Sequence, residues 1–177
     1  MIIMLNKKIL FLIAQENFRD EEYLIPKAIF EKQGIKVTTV SLKKQESVGM
    51  LGAKVTPDIA VKDVIVNSFD MLVVAGGSGS PKMADFMEII EMIKKFDYLK
   101  KPIAAICLAG YVLARAGILT NVRATVFPAE KAVNEYKMRG VKYTEGPIVV
   151  DGRIITADGP EQAKTFGNKI ITLLSRI

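Results

Sequence analysis

The chain has 177 residues, half of them apolar and a quarter charged, and carries a net charge of +6. This size fits a single domain, 1–177, with a proper hydrophobic core, and the balance of residues excludes a disordered chain. One cysteine excludes an intrachain disulfide and points to a reducing, cytoplasmic setting. The absence of histidine excludes any Cys–His pair, even between copies of this chain.

The positive charge is scattered in doublets such as Lys7-Lys8, Lys43-Lys44, Lys94-Lys95 and Lys100-Lys101. No basic stripe with interleaved aromatics accompanies it, so a lysine-rich solvated surface is expected and no nucleic-acid partner. No apolar run is long enough to cross a bilayer, so no membrane partner is expected. The opening Met1 to Lys8, followed by Ile9 to Ala14, makes a poor signal peptide, with too short an apolar stretch and no small-residue cleavage site.

Apolar runs alternate with helical patterns throughout, which predicts an α/β fold around a mostly parallel sheet. Lys8 to Ala14 reads as the first strand. Asp20 is placed to cap a helix that ends at Gly34, with Glu21 and Glu22 in its first turn. Pro26 should bend that helix or shift its start. Lys36 to Ser41 is the second strand. Val48 to Val64 is too polar and interrupted for a crossover helix, and reads as a small hairpin or excursion with a turn at Thr56-Pro57-Asp58.

Met71 to Ala75 is the third strand, running into Gly76-Gly77, and a helix covers Ala84 to Phe96. Ile103 to Ile106 is the fourth strand, followed after Cys107 by a helix from Leu108 to Ala116 that Gly117 ends. Ala124 to Phe127 reads as a fifth short strand and Ala129 to Met138 as a helix, with Gly140 after it. Val141 to Tyr143, Ile148 to Val150 and Arg153 to Thr156 read as strands, the last two joined by a tight turn at Asp151-Gly152. Pro160 opens the final helix, whose apolar positions include Phe166, Ile170, Leu173 and Leu174.

The chemistry is concentrated at Cys107. An apolar strand ends there and a helix starts at once, the pattern of a nucleophile elbow, and small Ala109 and Gly110 allow close backbone approach. A helix start should favour the thiolate through its free N–H groups and dipole. The competing reading is a buried structural cysteine.

Gly76-Gly77 lies at a strand end on the same sheet edge. Its N–H groups, with that of Leu108, are candidate oxyanion donors. The stretch Gly76-Gly77-Ser78-Gly79-Ser80 also reads as a phosphate loop or as a plain turn, although it matches neither the Walker pattern nor the dinucleotide fingerprint. Glu16, Asp20, Glu21 and Glu22 fall near that edge too, and spacing alone does not choose among them.

These motifs resemble the ThiJ/PfpI superfamily. The resemblance rests on Ala104-Ala105-Ile106-Cys107, the upstream Gly-Gly turn, Asp20 to Pro26, Val126-Phe127-Pro128, Val149 to Gly152 and Thr156 to Pro160. It implies a single-domain, flavodoxin-like three-layer sandwich with a small extra hairpin, and a homodimer or larger homo-oligomer. It also implies catalytic Cys107 and Glu22, with Gly76, Gly77 and Leu108 holding the oxyanion or substrate. No cofactor and no metal are implied.

The activity implied is that of a glyoxalase without cofactor or a protein deglycase, acting on a small carbonyl or a modified protein. An intracellular cysteine peptidase or amidase is the alternative, and a redox-sensing or chaperone-like stress protein is another. Relatives often carry histidine where this chain has Leu108 or Phe127, which leaves peptide cleavage without its usual general acid.

Overall fold

The computed structural model describes residues 6–177, so the part of the leader reading that concerns Met1–Leu5 lies outside the described residues. The first strand, β1 (Lys8–Leu12), is apolar almost throughout because both faces of the sheet are covered. A short β2 (Glu16–Phe18) follows, then helix α1 (Asp20–Lys32) and strand β3 (Lys36–Ser41). Helix α1 ends through Gly34 at φ +78°, the left-handed conformation that glycine adopts most readily.

Two expectations about α1 need correction. Arg19, not Asp20, is the N-cap residue, and no side chain caps the helix. The Asp20 carboxylate instead accepts N–H bonds from Leu51 (2.8 Å) and Ala53 (2.7 Å), which tie the helix start to a neighbouring hairpin. Pro26 does not shift the start either, since α1 runs through it without a break.

The polar excursion is a hairpin of β4 (Ser47–Gly49) and β5 (Lys54–Val55), with β2 added beside β4 to make a three-stranded sheet. A two-residue strand, β6 (Ile59–Ala60), then joins β3 in the main sheet. Strand β7 (Met71–Val74) precedes a 3-10 turn at Ser80–Asp85 and helix α2 (Met87–Tyr98), so the predicted helix from Ala84 begins three residues late. Strand β8 (Ile103–Ile106) leads through Cys107 into α3 (Ala109–Arg115).

The predicted fifth strand is reduced to β9 (Arg123–Ala124). It pairs outside the main sheet with β10 (Lys142–Tyr143), after helix α4 (Glu130–Met138). Thr125 instead donates its N–H to the Thr156 hydroxyl at 2.9 Å, which turns this segment across the end of the main sheet. Strands β11 (Ile148–Asp151) and β12 (Ile154–Ala157) form the antiparallel hairpin, with Gly152 at φ +58°, and α5 (Ala163–Leu174) closes the chain.

The main sheet has seven strands in the order β11-β12-β8-β7-β1-β3-β6, parallel except for β11. The connection from β1 to β3 moves one way across the sheet and that from β7 to β8 moves the other. Right-handed crossovers therefore place α1 and α2 on opposite faces. Helices α1 and α5 pack together, while α3 contacts α2 and α4. The direction of winding reverses between β1 and β7, the position where ligands bind in open α/β sheets.

Candidate active site

Three segments converge at the carboxyl edge of the sheet: the start of α1, the turn after β7 and the elbow after β8. Register sets β7 and β8 side by side, with Val74 opposite Ala105, so Gly76 falls beside Cys107. At the elbow, Cys107 has φ +59°. A left-handed non-glycine residue costs about 1–2 kcal/mol, and here the surroundings impose it. The Cys107 N–H donates to the Ala157 carbonyl at 2.8 Å, and the Cys107 carbonyl accepts from Gly110 and Phe127, both at 3.4 Å. Gly110 lets the buried Tyr136 of α4 pack directly against the start of α3, because a Cβ there would collide with the Tyr136 hydroxyl.

Glu22 is fully buried. Its Oε2 accepts the Gly76 N–H at 2.9 Å, while Oε1 has no hydrogen-bond partner among the described residues. A Cβ on Gly76 would stand 2.6 Å from Glu22 Oε2, 2.6 Å from the Ile106 carbonyl oxygen and 2.8 Å from Cys107 Cβ. Glycine at that position is thus a condition for the carboxyl and the thiol to meet. Its N–H is committed to Glu22, however, which removes Gly76 from the expected set of oxyanion donors. The other two remain: the N–H groups of Gly77 and Leu108 act on the sulfur, and both favour its charged form.

Burial pushes the Glu22 carboxyl up to about 7, against the opposing pull of the thiol, the Gly76 N–H and the Arg19 charge. Burial likewise pushes the Cys107 thiol up to about 12, and the Glu22 carboxylate adds to the rise. The N–H groups at the helix start pull toward the thiolate, as the elbow pattern implies, but burial and the Glu22 carboxylate pull harder the other way. Two N–H groups at the mouth of a seven-residue helix do not offset desolvation and a neighbouring negative charge. Burial thus favours the neutral form of the thiol and of the carboxyl beside it.

Nothing in the sequence marks Arg19 as part of the site. Its N–H bonds the Gly76 carbonyl at 2.9 Å, and its guanidinium is held in a two-point pair by Glu21, at 2.8 and 3.0 Å. From there its charge reaches Glu22 and Cys107. The selection of Glu22 did leave a trace in the sequence. It lies four residues before Pro26 and eight before Phe30, on the stripe of α1 that is buried. Glu16 is exposed and Glu21 faces Arg19, so neither shares this position. No cluster of potential metal ligands occurs among the described residues, and none of the described helices is long and apolar enough to cross a membrane.

A doubly wound sheet with a thiol on a strained elbow and a buried carboxyl against it defines a recognisable class of α/β protein. The model of the DJ-1/PfpI family matches residues 7–173, and the chain belongs to that family. An uncharacterized protein of Methanocaldococcus jannaschii is 42% identical over 98% of this chain and 85% of its own length. A glutathione-independent glyoxalase of Caenorhabditis elegans is 29% identical over 96% of this chain and 89% of its own length. A deglycase of Pyrococcus abyssi is 28% identical, covering 92% and 97%. Among solved structures, a ThiJ/PfpI domain protein of Brachyspira murdochii superposes with a TM-score of 0.92 at 29% identity, covering 98% of this chain and 99% of that one.

Proposed function

We propose that this protein is a cofactor-independent enzyme for reactive carbonyls, of the glyoxalase or deglycase kind, with Cys107 as nucleophile and Glu22 as its proton carrier. The observation that carries the reading is the buried Glu22 carboxyl. It faces the thiol, is held by Gly76 through one oxygen and keeps the other oxygen without a partner.

A neutral thiol is no obstacle to this chemistry, because the acceptor of its proton is already in place. With an α-oxoaldehyde, the sulfur attacks the aldehyde carbon as Glu22 takes the thiol proton. The C=O electron pair moves onto oxygen, which the Leu108 and Gly77 N–H groups stabilise. Glu22 returns the proton to that oxygen, giving a hemithioacetal. The same carboxylate then moves a proton from the former aldehyde carbon to the neighbouring carbon through an enediol, leaving a 2-hydroxy thioester. Water hydrolyses it to the 2-hydroxy acid and restores the thiol. An acid that titrates near 7 is suited to both directions of transfer. Peptide cleavage is not favoured, since no imidazole is available to protonate a leaving amine.

Lactate formation from methylglyoxal tests the reading. We expect Cys107→Ala to abolish it and Glu22→Gln to lower it by about 100-fold or more, the usual size of a lost general acid–base. Lactate formed at the wild-type rate by Cys107→Ala would sink the proposal.

Self-association belongs to the same proposal. Leu24 and Ile25 on α1, with Val48, Met50 and Leu51 on the hairpin that Asp20 anchors, expose large apolar surface beside the site. Sedimentation velocity should show a dimer or larger species that Leu51→Glu weakens. A monomer at every concentration would remove this part.

A further inference from the structure

Two openings in the fold lie away from Cys107. One cavity of about 490 Å³ sits at the carboxyl ends of β1 and β3 and against the turn after β7, where the winding of the sheet reverses. A second, of about 650 Å³, continues from it and shares Leu42, Lys43, Gln45 and Phe86. Cys107 and Glu22 line neither. We infer that this crevice is a binding site for a nucleoside monophosphate, with the phosphate between Lys43 and Lys82 and the base over Phe86.

Four observations converge on that ligand. Lys43 and Lys82 line the first cavity, and neither ammonium has a carboxylate partner among the described residues. A phosphate supplies the charge they lack. The N–H groups of Ala14 and Leu42, where β1 and β3 leave the sheet, have no backbone acceptor among the described residues, and Ala14 is buried. Buried N–H groups are rarely left unpaired, and a ligand oxygen satisfies such a group as well as a carbonyl does. Phe86, Met83 and Ile89 give the cavity an apolar wall of a size that accepts a planar base. Glu16 is the only acid on the lining of the first cavity and opposes an anion, but it is an acceptor for sugar hydroxyls, which selects a nucleoside over a bare phosphate.

The site is also held in shape in advance. The Gln15 amide donates to the carbonyls of Gln45 (2.8 Å) and Glu46 (3.2 Å) and to the Ser47 hydroxyl (3.2 Å), and its oxygen accepts the Lys43 N–H at 3.1 Å. One side chain thus fixes the whole Lys43–Ser47 rim, which lowers the cost of ordering it on binding.

The glycine-rich turn plays a different part from the phosphate loop its sequence suggests. The N–H groups of Ser78, Gly79 and Ser80 are spent on Met50, Asn17 and Gly77, so the turn forms a wall and not an anion nest. The cavity lies at the crevice where doubly wound sheets bind mononucleotides, and its volume falls in the range of about 300–1,000 Å³ typical of such sites.

Calorimetric titration of the full-length Cys107→Ala protein with adenosine monophosphate, adenosine and inorganic phosphate tests the inference without any contribution from the reactive thiol. We expect adenosine monophosphate to bind with a Kd below about 1 mM, and more tightly than either fragment. Adding Lys43→Ala and Lys82→Ala should weaken it by about tenfold or more. Both lysines are exposed, so the fold should be unchanged by circular dichroism. No saturable binding up to about 10 mM, equal affinity with and without the two lysines, or phosphate alone binding as tightly as the nucleotide would each overturn the assignment. Failure here leaves lactate formation untouched, and failure of the carbonyl chemistry leaves this titration untouched.

Discussion

The two sites share one edge of one sheet and are built on opposite terms. Around Cys107 the structure is buried and closely packed, with a left-handed cysteine, a glycine that admits no Cβ and a carboxyl without exposure. At the crevice, only a strand or two away, the walls are open, the charged groups are lysines in solvent and the rim is a loop pinned by one amide. In the proposed chemistry the first arrangement moves a proton by placing two groups in an environment that shifts both of them. The inferred second site offers a ligand charge and shape at an open rim. Enclosure separates chemistry from recognition here, and each half of the contrast is open to attack.

The largest effect is expected where the packing is tightest. Gly76→Ala puts a methyl group against the Glu22 carboxyl, the Ile106 carbonyl and Cys107 itself, and two of these neighbours are rigid backbone or elbow. We expect a loss of about 3 kcal/mol of stability, at the upper end for an overpacked site, together with loss of carbonyl activity. Urea unfolding reads the first and lactate formation the second. A variant as stable and active as wild type would show that the thiol and carboxyl need not be in contact.

The second effect is electrostatic. Glu22 has a folded-state value of about 7, above the 4.5 of an unfolded chain, so the folded protein holds this proton more tightly than the unfolded one. The contribution to stability is fully present below pH 4.5 and is lost as pH rises through about 7. That gap corresponds to about 3 kcal/mol, and Glu22→Gln should flatten this part of the stability–pH curve. An unchanged slope in the variant would mean that the buried proton sits elsewhere.

Much of this contrast was legible in the sequence, for reasons that differ by residue. The elbow was visible because a strand that ends directly in a helix leaves one residue at the joint. Gly34 and Gly117 marked helix ends because both adopt positive φ. The left-handed φ of Cys107 was not visible, since it is held by Ala157 and Phe127 through contacts distant in the chain. Strands β2 and β6 are two or three residues long and exist because a longer strand lies beside them, so they carry no periodicity. Asp20 reads as a cap by position, and only the fold brings the hairpin N–H groups to it. The direction of the thiol shift was missed for the same reason, because burial beside Glu22 is a tertiary property.

The smallest effect sharpens the contrast most. The two sites are joined by one run of chain from Lys43 to Ala53, anchored at its far end by Asp20 beside Glu22 and at its near end by Gln15 beside the crevice. If the sites are independent, releasing the near anchor affects only the crevice. Gln15→Ala removes four bonds, three exposed and one part-buried, each worth about 1 kcal/mol net at most, and leaves the buried core of the sheet intact. Amide exchange should then quicken across residues 43–47 and nucleotide binding weaken by a few-fold, while the rate of iodoacetamide labelling at Cys107 stays that of wild type. A change in labelling would mean that the rim and the elbow move together, making the crevice a regulator of the thiol instead of a neighbour.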